Sequence, residues 1–368
     1  MSFFSEYREV NALLQQKQPI VFYAESRHYF PYYERLITDI LKSGKNICYI
    51  TSDANDPLLK SAPVGMNVYH VKWLLGTLFS RLRADVMIMT MPDLGHFIFK
   101  RSKDVGCYIY IFHAAVSTHQ QYTKSSFFNY DCIFCTGEYQ EKEIRIAEEL
   151  NSQKKKEVVQ YGYPLLEEVK RKAALRKPGE SFILVAPSWF DGCIFDSCIE
   201  ELMEQLAKQP RKVILRSHPE YEKRKKKEFR KIKKLIEGSS KFELDTMSSV
   251  LDRLPLADML ITDRSGIAFE FAFGVGRPVL FIDTKPKETN PDWRELEIEP
   301  IENSLRNKLG IAIQPSSINN LQKVMSEMET MSLGFAQQME AISKITFYNS
   351  EQNYKSGLDY ILGKLIKG

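Results

Sequence analysis

Short apolar, β-branched or aromatic runs alternate with longer segments of helical period along nearly the whole chain. In the first half the runs predict strands at 20–24 (IVFYA), 46–52 (NICYITS), 85–90 (DVMIMT), 107–112 (CYIYIF), 131–136 (DCIFCT) and 157–162 (EVVQYG). Helices are predicted between most of them. The clearest spans 32–45, with Leu36, Ile37, Ile40 and Leu41 on one face and Gly44 closing it. The second half repeats the scheme at 181–187, 212–217, 258–263 and 278–283, and the stretch from about Phe335 to Gly368 reads as helices alone. Such alternation predicts α/β architecture with parallel sheets. Gly162 and Pro164 before a polar helix, and Lys177-Pro178-Gly179 after it, mark a boundary between two halves. The expected organisation is a domain over 1–165, a second over 166–340, and a helical crossover over 341–368.

Composition agrees with two globular cores: 368 residues, 43% of them hydrophobic and 27% charged. Apolar runs such as 86–89 and 182–187 fall far short of the ~20 residues that cross a bilayer. The N-terminal MSFFSEYREVNALL lacks a basic region followed by an apolar stretch, so a cytoplasmic location is expected. Cys132 and Cys135 have C-x-x-C spacing, but on a strand residues three apart point to opposite faces. No second pair at zinc-finger spacing accompanies them, so reduced thiols and no metal site are expected. The net charge of +4 is concentrated in 221–238, where Phe229, Ile232 and Ile236 share one side. That run reads either as a solvated helix packed through a thin apolar stripe or as a helix in peripheral contact with anionic lipid. Nucleic acid is not expected as a partner, because aromatics and glycines are not interleaved with the basic residues.

Ligands of parallel sheets bind beyond the carboxyl ends of the strands. In the second half those ends carry Ser188-Trp189, Ser217-His218-Pro219 after Arg216, and Asp263-Arg264-Ser265-Gly266. Ser265 is a candidate N-cap, and Gly266 admits a ligand close to the backbone, so this helix start suits a phosphate as well as a plain cap. Glu270 then stands in an otherwise apolar helix. An ionised carboxylate there requires a partner. That partner is either Arg264 or Arg277 in an ion pair, or the two hydroxyls of a ribose. Arg216, Ser217 and His218 converge as an anion-binding group. In the first half His113 ends a strand and is placed to take a proton from a hydroxyl. His119 follows in a loop with Ser117 and Thr118. Glu25, Ser26, Arg27, Asp53, Asp93 and His96 stand at other strand ends and suit a polyol or sugar acceptor, with Arg27, Asp93 and His119 as the acceptor-side candidates.

The segment from Ser248 to Asp283, RSHPE at 216–220 and the region of His113 resemble the CDP-glycerol glycerophosphotransferases, the teichoic-acid primases and polymerases. The resemblance implies the GT-B fold: two Rossmann-like parallel-sheet domains facing across a cleft, the first for the acceptor and the second for the nucleotide donor. It implies that His113 is the general base, that Arg216 and His218 contact the donor diphosphate, and that Ser265 and Gly266 cap a phosphate. Catalytic candidates are therefore His113 and His218. Candidates for nucleotide and phosphate binding are Arg216, Ser217, Ser248, Asp263, Ser265, Gly266 and Glu270. A CDP-linked polyol donor is expected as substrate, with no cofactor and a polyol or glycan as acceptor. Two departures stand out: His113-Ala114-Ala115 where the family has His-Gly-Thr, and Asp263-Arg264-Ser265-Gly266 where it has Asp-Tyr-Ser-Ser. The second is closer to the Ser-Gly helix start of nucleotide-sugar 2-epimerases. A nucleotide-sugar glycosyltransferase or UDP-sugar 2-epimerase is thus one alternative, and a non-catalytic nucleotide-binding protein another.

Overall fold

The computed structural model describes residues 3–92, 94–177, 181–247 and 249–365. The chain forms two compact units, one of Met1–Pro164, Thr289–Ile298 and Thr346–Gly368, the other of Leu165–Glu288 and Glu299–Ile345.

The first unit holds seven strands: β1 (Gln18–Ala24), β2 (Ile47–Thr51), β3 (Met66–His70), β4 (Ala84–Met89), β5 (Val105–Ile111), β6 (Cys132–Cys135) and β7 (Glu157–Gln160). All pairings are parallel, in the order β3-β2-β1-β4-β5-β6-β7. Strands buried on both faces explain the unbroken apolar runs of the sequence. Val21, Tyr23, Ile133 and Cys135 pack into one core layer, and Ile20, Phe22, Cys132 and Phe134 into the other. Cys132 and Cys135 therefore lie on opposite faces, as their odd spacing dictates. The helix Glu351–Leu365 belongs to this unit, burying Tyr354 and Ile361 in the second layer and donating from Asn353 Nδ2 to the Gln160 carbonyl at 2.9 Å. At the other end of the chain, the helix Phe3–Gln15 turns the buried Glu6 onto the N–H groups of Lys72, Trp73 and Leu74, at 2.6–3.0 Å. Those groups precede the helix Leu75–Arg81, so the carboxylate satisfies donors that a helix start leaves over.

The second unit holds β8 (Phe182–Val185), β9 (Lys212–Leu215), β10 (Phe242–Leu244), β11 (Met259–Thr262), β12 (Val279–Ile282) and β13 (Gly310–Ile313), in the parallel order β10-β9-β8-β11-β12-β13. Both sheets have the doubly wound order, with topological switch points between β1 and β4 and between β8 and β11. Three strands were not expected from sequence. β3, β10 and β13 are short edge strands, and most of their residues are only partly buried, so their hydrophobic pattern is weak.

Two elements differ from their expected form. The basic run 221–238 breaks at Lys225 into Pro219–Arg224 and Lys226–Ile236, where Lys225 pairs with Asp191 and Asp196. Phe229 and Ile232 of the second helix are buried, while Arg230, Lys231, Lys233 and Lys234 are exposed. The helix after β11 begins at Ile267, and from Glu270 to Val275 it is a π-helix, ending at Gly276 with φ of 74°. Gly274 is required there: a Cβ would come within 2.5 Å of Val169 Cγ1.

Candidate functional site

In each unit a buried polar side chain bridges the switch point. In the first it is Tyr33, fully buried, whose hydroxyl donates to the Tyr23 carbonyl of β1 at 2.8 Å and accepts from the Thr90 N–H after β4 at 2.7 Å. Burial raises its pKa far above the usual phenol value, so it remains a neutral phenol. Thr90, fixed in this way, presents its carbonyl oxygen to His113 Nδ1 at 3.2 Å. A carbonyl only accepts, so Nδ1 carries a proton, and in the neutral ring Nε2 holds the lone pair. The ring is half-exposed, edge-on to Tyr29, Tyr32 and Tyr122 at centroid distances of 5.5–6.2 Å, and the Tyr163 hydroxyl donates to its backbone carbonyl. This tautomer is the one a general base requires.

Arg27 is held bidentately by Asp53, at 2.7 and 3.2 Å. Asp93 lies outside the described residues. His119 is a correction to the sequence reading. It lies on a short helix, Thr118–Gln121, with its side chain 1% exposed, its Nε2 donating to the Ile298 carbonyl at 3.0 Å and its Nδ1 3.3 Å from Glu143 Oε1. Glu143 in turn accepts from the Thr118 N–H and hydroxyl. With Nε2 held by the Ile298 carbonyl and the ring packed beside Glu143, the His119 side chain is not presented at the surface. It anchors the segment Thr289–Ile298, whose Asn290 also donates to the His119 carbonyl.

In the second unit the bridging group is Asp263, fully buried after β11. Its Oδ1 accepts from the N–H of Ser188, after β8, at 2.8 Å and from that of Arg264 at 2.6 Å, and its Oδ2 accepts from Ile194 N–H at 3.1 Å. Burial pushes its pKa up, against the pull of these three bonds. The carboxylate therefore shapes the backbone of the site rather than facing a ligand. Ser265 does not cap the following helix with its side chain, contrary to the sequence reading. Gly266 is the N-cap residue, in helical conformation, and the helix starts one residue later than a Ser265 cap requires. The N–H groups at this start are ones an α-helix cannot satisfy internally.

Glu270 is 5% exposed and opens the π-helical segment. The two arginines considered as its partners bind elsewhere: Arg277 pairs with Asp258, and Arg264 with Asp283. π-helical segments concentrate at functional sites, since the extra residue per turn rotates a side chain off the regular helical face. At the end of β9, Arg216 donates to Asp245 at 2.5 Å and Ser217 bonds to Glu222. His218 N-caps Pro219–Arg224, its Nδ1 accepting the Glu220 N–H at 3.1 Å, and Trp189 lies against its ring at 5.9 Å. A ring nitrogen that accepts is unprotonated, so the neutral ring carries its proton on Nε2, the reverse of His113. One histidine thus offers a base and the other a donor. Ser248 lies outside the described residues. The sequence reading did not single out Tyr33, nor Arg306, whose Nη1 donates to the Asp263 carbonyl oxygen at 3.1 Å. No local motif marks them, because each acts on a strand end remote in the chain.

The family model for CDP-glycerol:poly(glycerophosphate) glycerophosphotransferase matches residues 106–291. Among solved structures, the wall teichoic acid polymerase TagF, soaked with CDPG, is 13% identical with a TM-score of 0.59, over 98% of this chain and 94% of that one. The UDP-GlcNAc 2-epimerase of Methanocaldococcus jannaschii, in complex with UDP-GlcNAc and UDP, is 11% identical with a TM-score of 0.58, over 96% of this chain and 100% of that one. Alr3699/HepE of Anabaena, in complex with UDP-glucose, is 12% identical with a TM-score of 0.52, over 96% and 100%. At such identities these likenesses show the fold, which is GT-B with two parallel sheets. No curated protein matches the chain.

Proposed function

The chain belongs to the CDP-glycerol:poly(glycerophosphate) glycerophosphotransferase family, and from that premise we propose how its residues divide the work of a glycerophosphotransferase-like enzyme. The second unit holds a CDP-linked polyol. The helix start at Gly266 and His218 Nε2–H meet the phosphates, and Glu270 accepts from the ribose hydroxyls. The first unit supplies His113, whose Nε2 takes the proton of an acceptor hydroxyl. The hydroxyl oxygen then attacks the donor's β-phosphorus, the bond from that phosphorus to the bridging oxygen breaks, and CMP leaves. Charge on the phosphates is met by protein donors, so this chemistry is proposed to run without a metal or cofactor.

The observation that carries this reading is the opposed tautomers of the two histidines, base at His113 and donor at His218. The acceptor is proposed to be a polyol phosphate or glycan of the cell envelope, and the location the inner face of the cell membrane. The exposed basic residues of Lys226–Ile236 support a peripheral contact with anionic lipid. Among the described residues, no helix is long and apolar enough to cross a membrane. Salt-sensitive cosedimentation with vesicles containing phosphatidylglycerol, absent with neutral vesicles, tests that contact.

The central test supplies CDP-glycerol, CDP-ribitol and UDP-sugars with a polyol-phosphate acceptor and identifies the nucleotide formed. CMP is expected. UDP from a UDP-sugar overturns the donor assignment in favour of the 2-epimerase-like alternative, to which the Ser265-Gly266 sequence also points. His113→Asn is expected to slow transfer by about 10²–10⁴-fold while CDP still binds. Full turnover in that variant removes the base from its role.

A further inference from the structure

The His113 ring is walled by aromatic side chains. It stands edge-on to Tyr29, Tyr32 and Tyr122, at centroid distances of 5.5, 6.2 and 6.1 Å, and Tyr32 stacks in turn on Tyr163 at 6.1 Å. Tyr122 and Tyr163 are buried, whereas Tyr29 and Tyr32 are half-buried, so two partly exposed phenol rings flank the half-exposed imidazole. Both come from the turn and helix that follow β1. That strand pairs with β4, and β4 pairs with β5, whose end carries His113.

The charge of this unit's carboxyl edge is the second observation. Among the described residues, the loops that follow β1 to β7 hold Arg27 and Lys72 as cations other than histidine, against Glu25, Asp53 and Asp56. Arg27 is taken up by Asp53. Lys72 follows the edge strand β3, with its ammonium 5.6 Å from the centre of the Trp73 ring. Glu25, at the end of β1, is exposed. The segment Thr289–Ile298 adds Asp292, Glu295 and Glu297 against Arg294, and Glu295 pairs with Lys124 at 2.7 Å. The face that offers the base is therefore acidic overall.

A glycerol-phosphate chain brings a negative charge with every unit and meets repulsion at such an edge. A pyranose ring is neutral. Its C–H groups suit the electron-rich face of a phenol, and its hydroxyls can bond to phenol and carboxylate oxygens. We propose that Tyr29 and Tyr32 bind the acceptor and select a neutral sugar ring, in place of a glycerol-phosphate chain, as the group whose hydroxyl His113 deprotonates. The role of His113 rests on the function proposed above, whereas the choice of a sugar rests on the aromatic rings and the charge around them. The sugar hydroxyl gives its proton to Nε2, and its oxygen forms the new bond to phosphorus as the bond to CMP breaks.

The test offers the full chain methyl glycosides of glucose, galactose, N-acetylglucosamine and N-acetylgalactosamine, and a glycerol-phosphate oligomer. Binding is read without donor by saturation-transfer NMR, and transfer by CMP released from CDP-glycerol. The best glycoside is expected to exceed the oligomer by at least about tenfold in kcat/KM. Tyr29→Ala and Tyr32→Ala are expected to raise its KM by about three- to tenfold with a smaller change in kcat, while Tyr29→Phe and Tyr32→Phe, which keep the rings, stay near the native value. Unfolding midpoints close to that of the native chain confine the effect to the site. Binding of no glycoside, binding of the oligomer as tight as that of the best glycoside, or equal affinity in the Ala and Phe variants overturns the proposal, even where CMP is released. A glycoside held through Tyr29 and Tyr32 by a chain that releases no CMP upholds the sugar site and sinks the donor assignment.

Discussion

Replacing Asp263 tests whether this residue builds the site or merely lines it. Asp263→Ala removes the acceptor of three backbone N–H groups. The Arg264 N–H belongs to a half-buried residue and finds water, but Ser188 is 3% exposed and Ile194 is fully buried. Two stranded buried donors at about 1–3 kcal/mol each give a loss of roughly 2–6 kcal/mol. Removing a buried carboxylate returns part of that, so a net destabilisation of about 2–4 kcal/mol is expected. Asp263→Asn keeps the Oδ1 contacts and loses only the bond to Ile194, so it is expected to cost about half as much. Urea unfolding at neutral pH measures both. The pH dependence supplies an independent check on sign. Burial raises the folded-state pKa above the ordinary 3.8, so on acidification the folded state binds this proton before the unfolded state does. The stability tied to the group is therefore fully present below 3.8 and falls as pH rises through the folded value. Asp263→Asn should flatten that slope. A loss below 1 kcal/mol for Asp263→Ala, on the same scale of buried hydrogen bonds, refutes the bridging role.

A further prediction concerns the ligand. Glu270→Gln leaves one acceptor where two hydroxyls need partners, so the preference for CDP over 2′-deoxy-CDP should shrink by about tenfold. Equal losses for the two nucleotides in a binding titration contradict the ribose contact.

The strands buried on both faces were legible because unbroken runs of Val, Ile, Phe and Tyr are what a parallel sheet covered on both sides demands. The edge strands β3, β10 and β13 were not, since each exposes part of its length. His113 and His218 after strands, and Glu270 inside a helix, stood out because polar groups at those positions break an apolar pattern. Their protonation could not be read in advance. It depends on the Thr90 carbonyl for one histidine and the Glu220 N–H for the other, and the first of these is set by folding. His119 misled because a histidine near a strand end looks the same whether it faces solvent or is sealed by a carbonyl 179 residues away. The π-helical turn at Glu270 has no signature in a segment that is apolar on nearly every side.

The closing helix Glu351–Leu365 sets an order of events during synthesis. Gln160 waits for Asn353, 193 residues later, and the layer containing Phe22 and Phe134 stays open until Tyr354 and Ile361 emerge. At ribosomal rates of about 5–20 residues per second that gap lasts roughly ten seconds or more. During this interval the nascent first sheet is a client for whatever shields apolar surface in the cell, and a chain cut short by a few dozen residues would never leave that state.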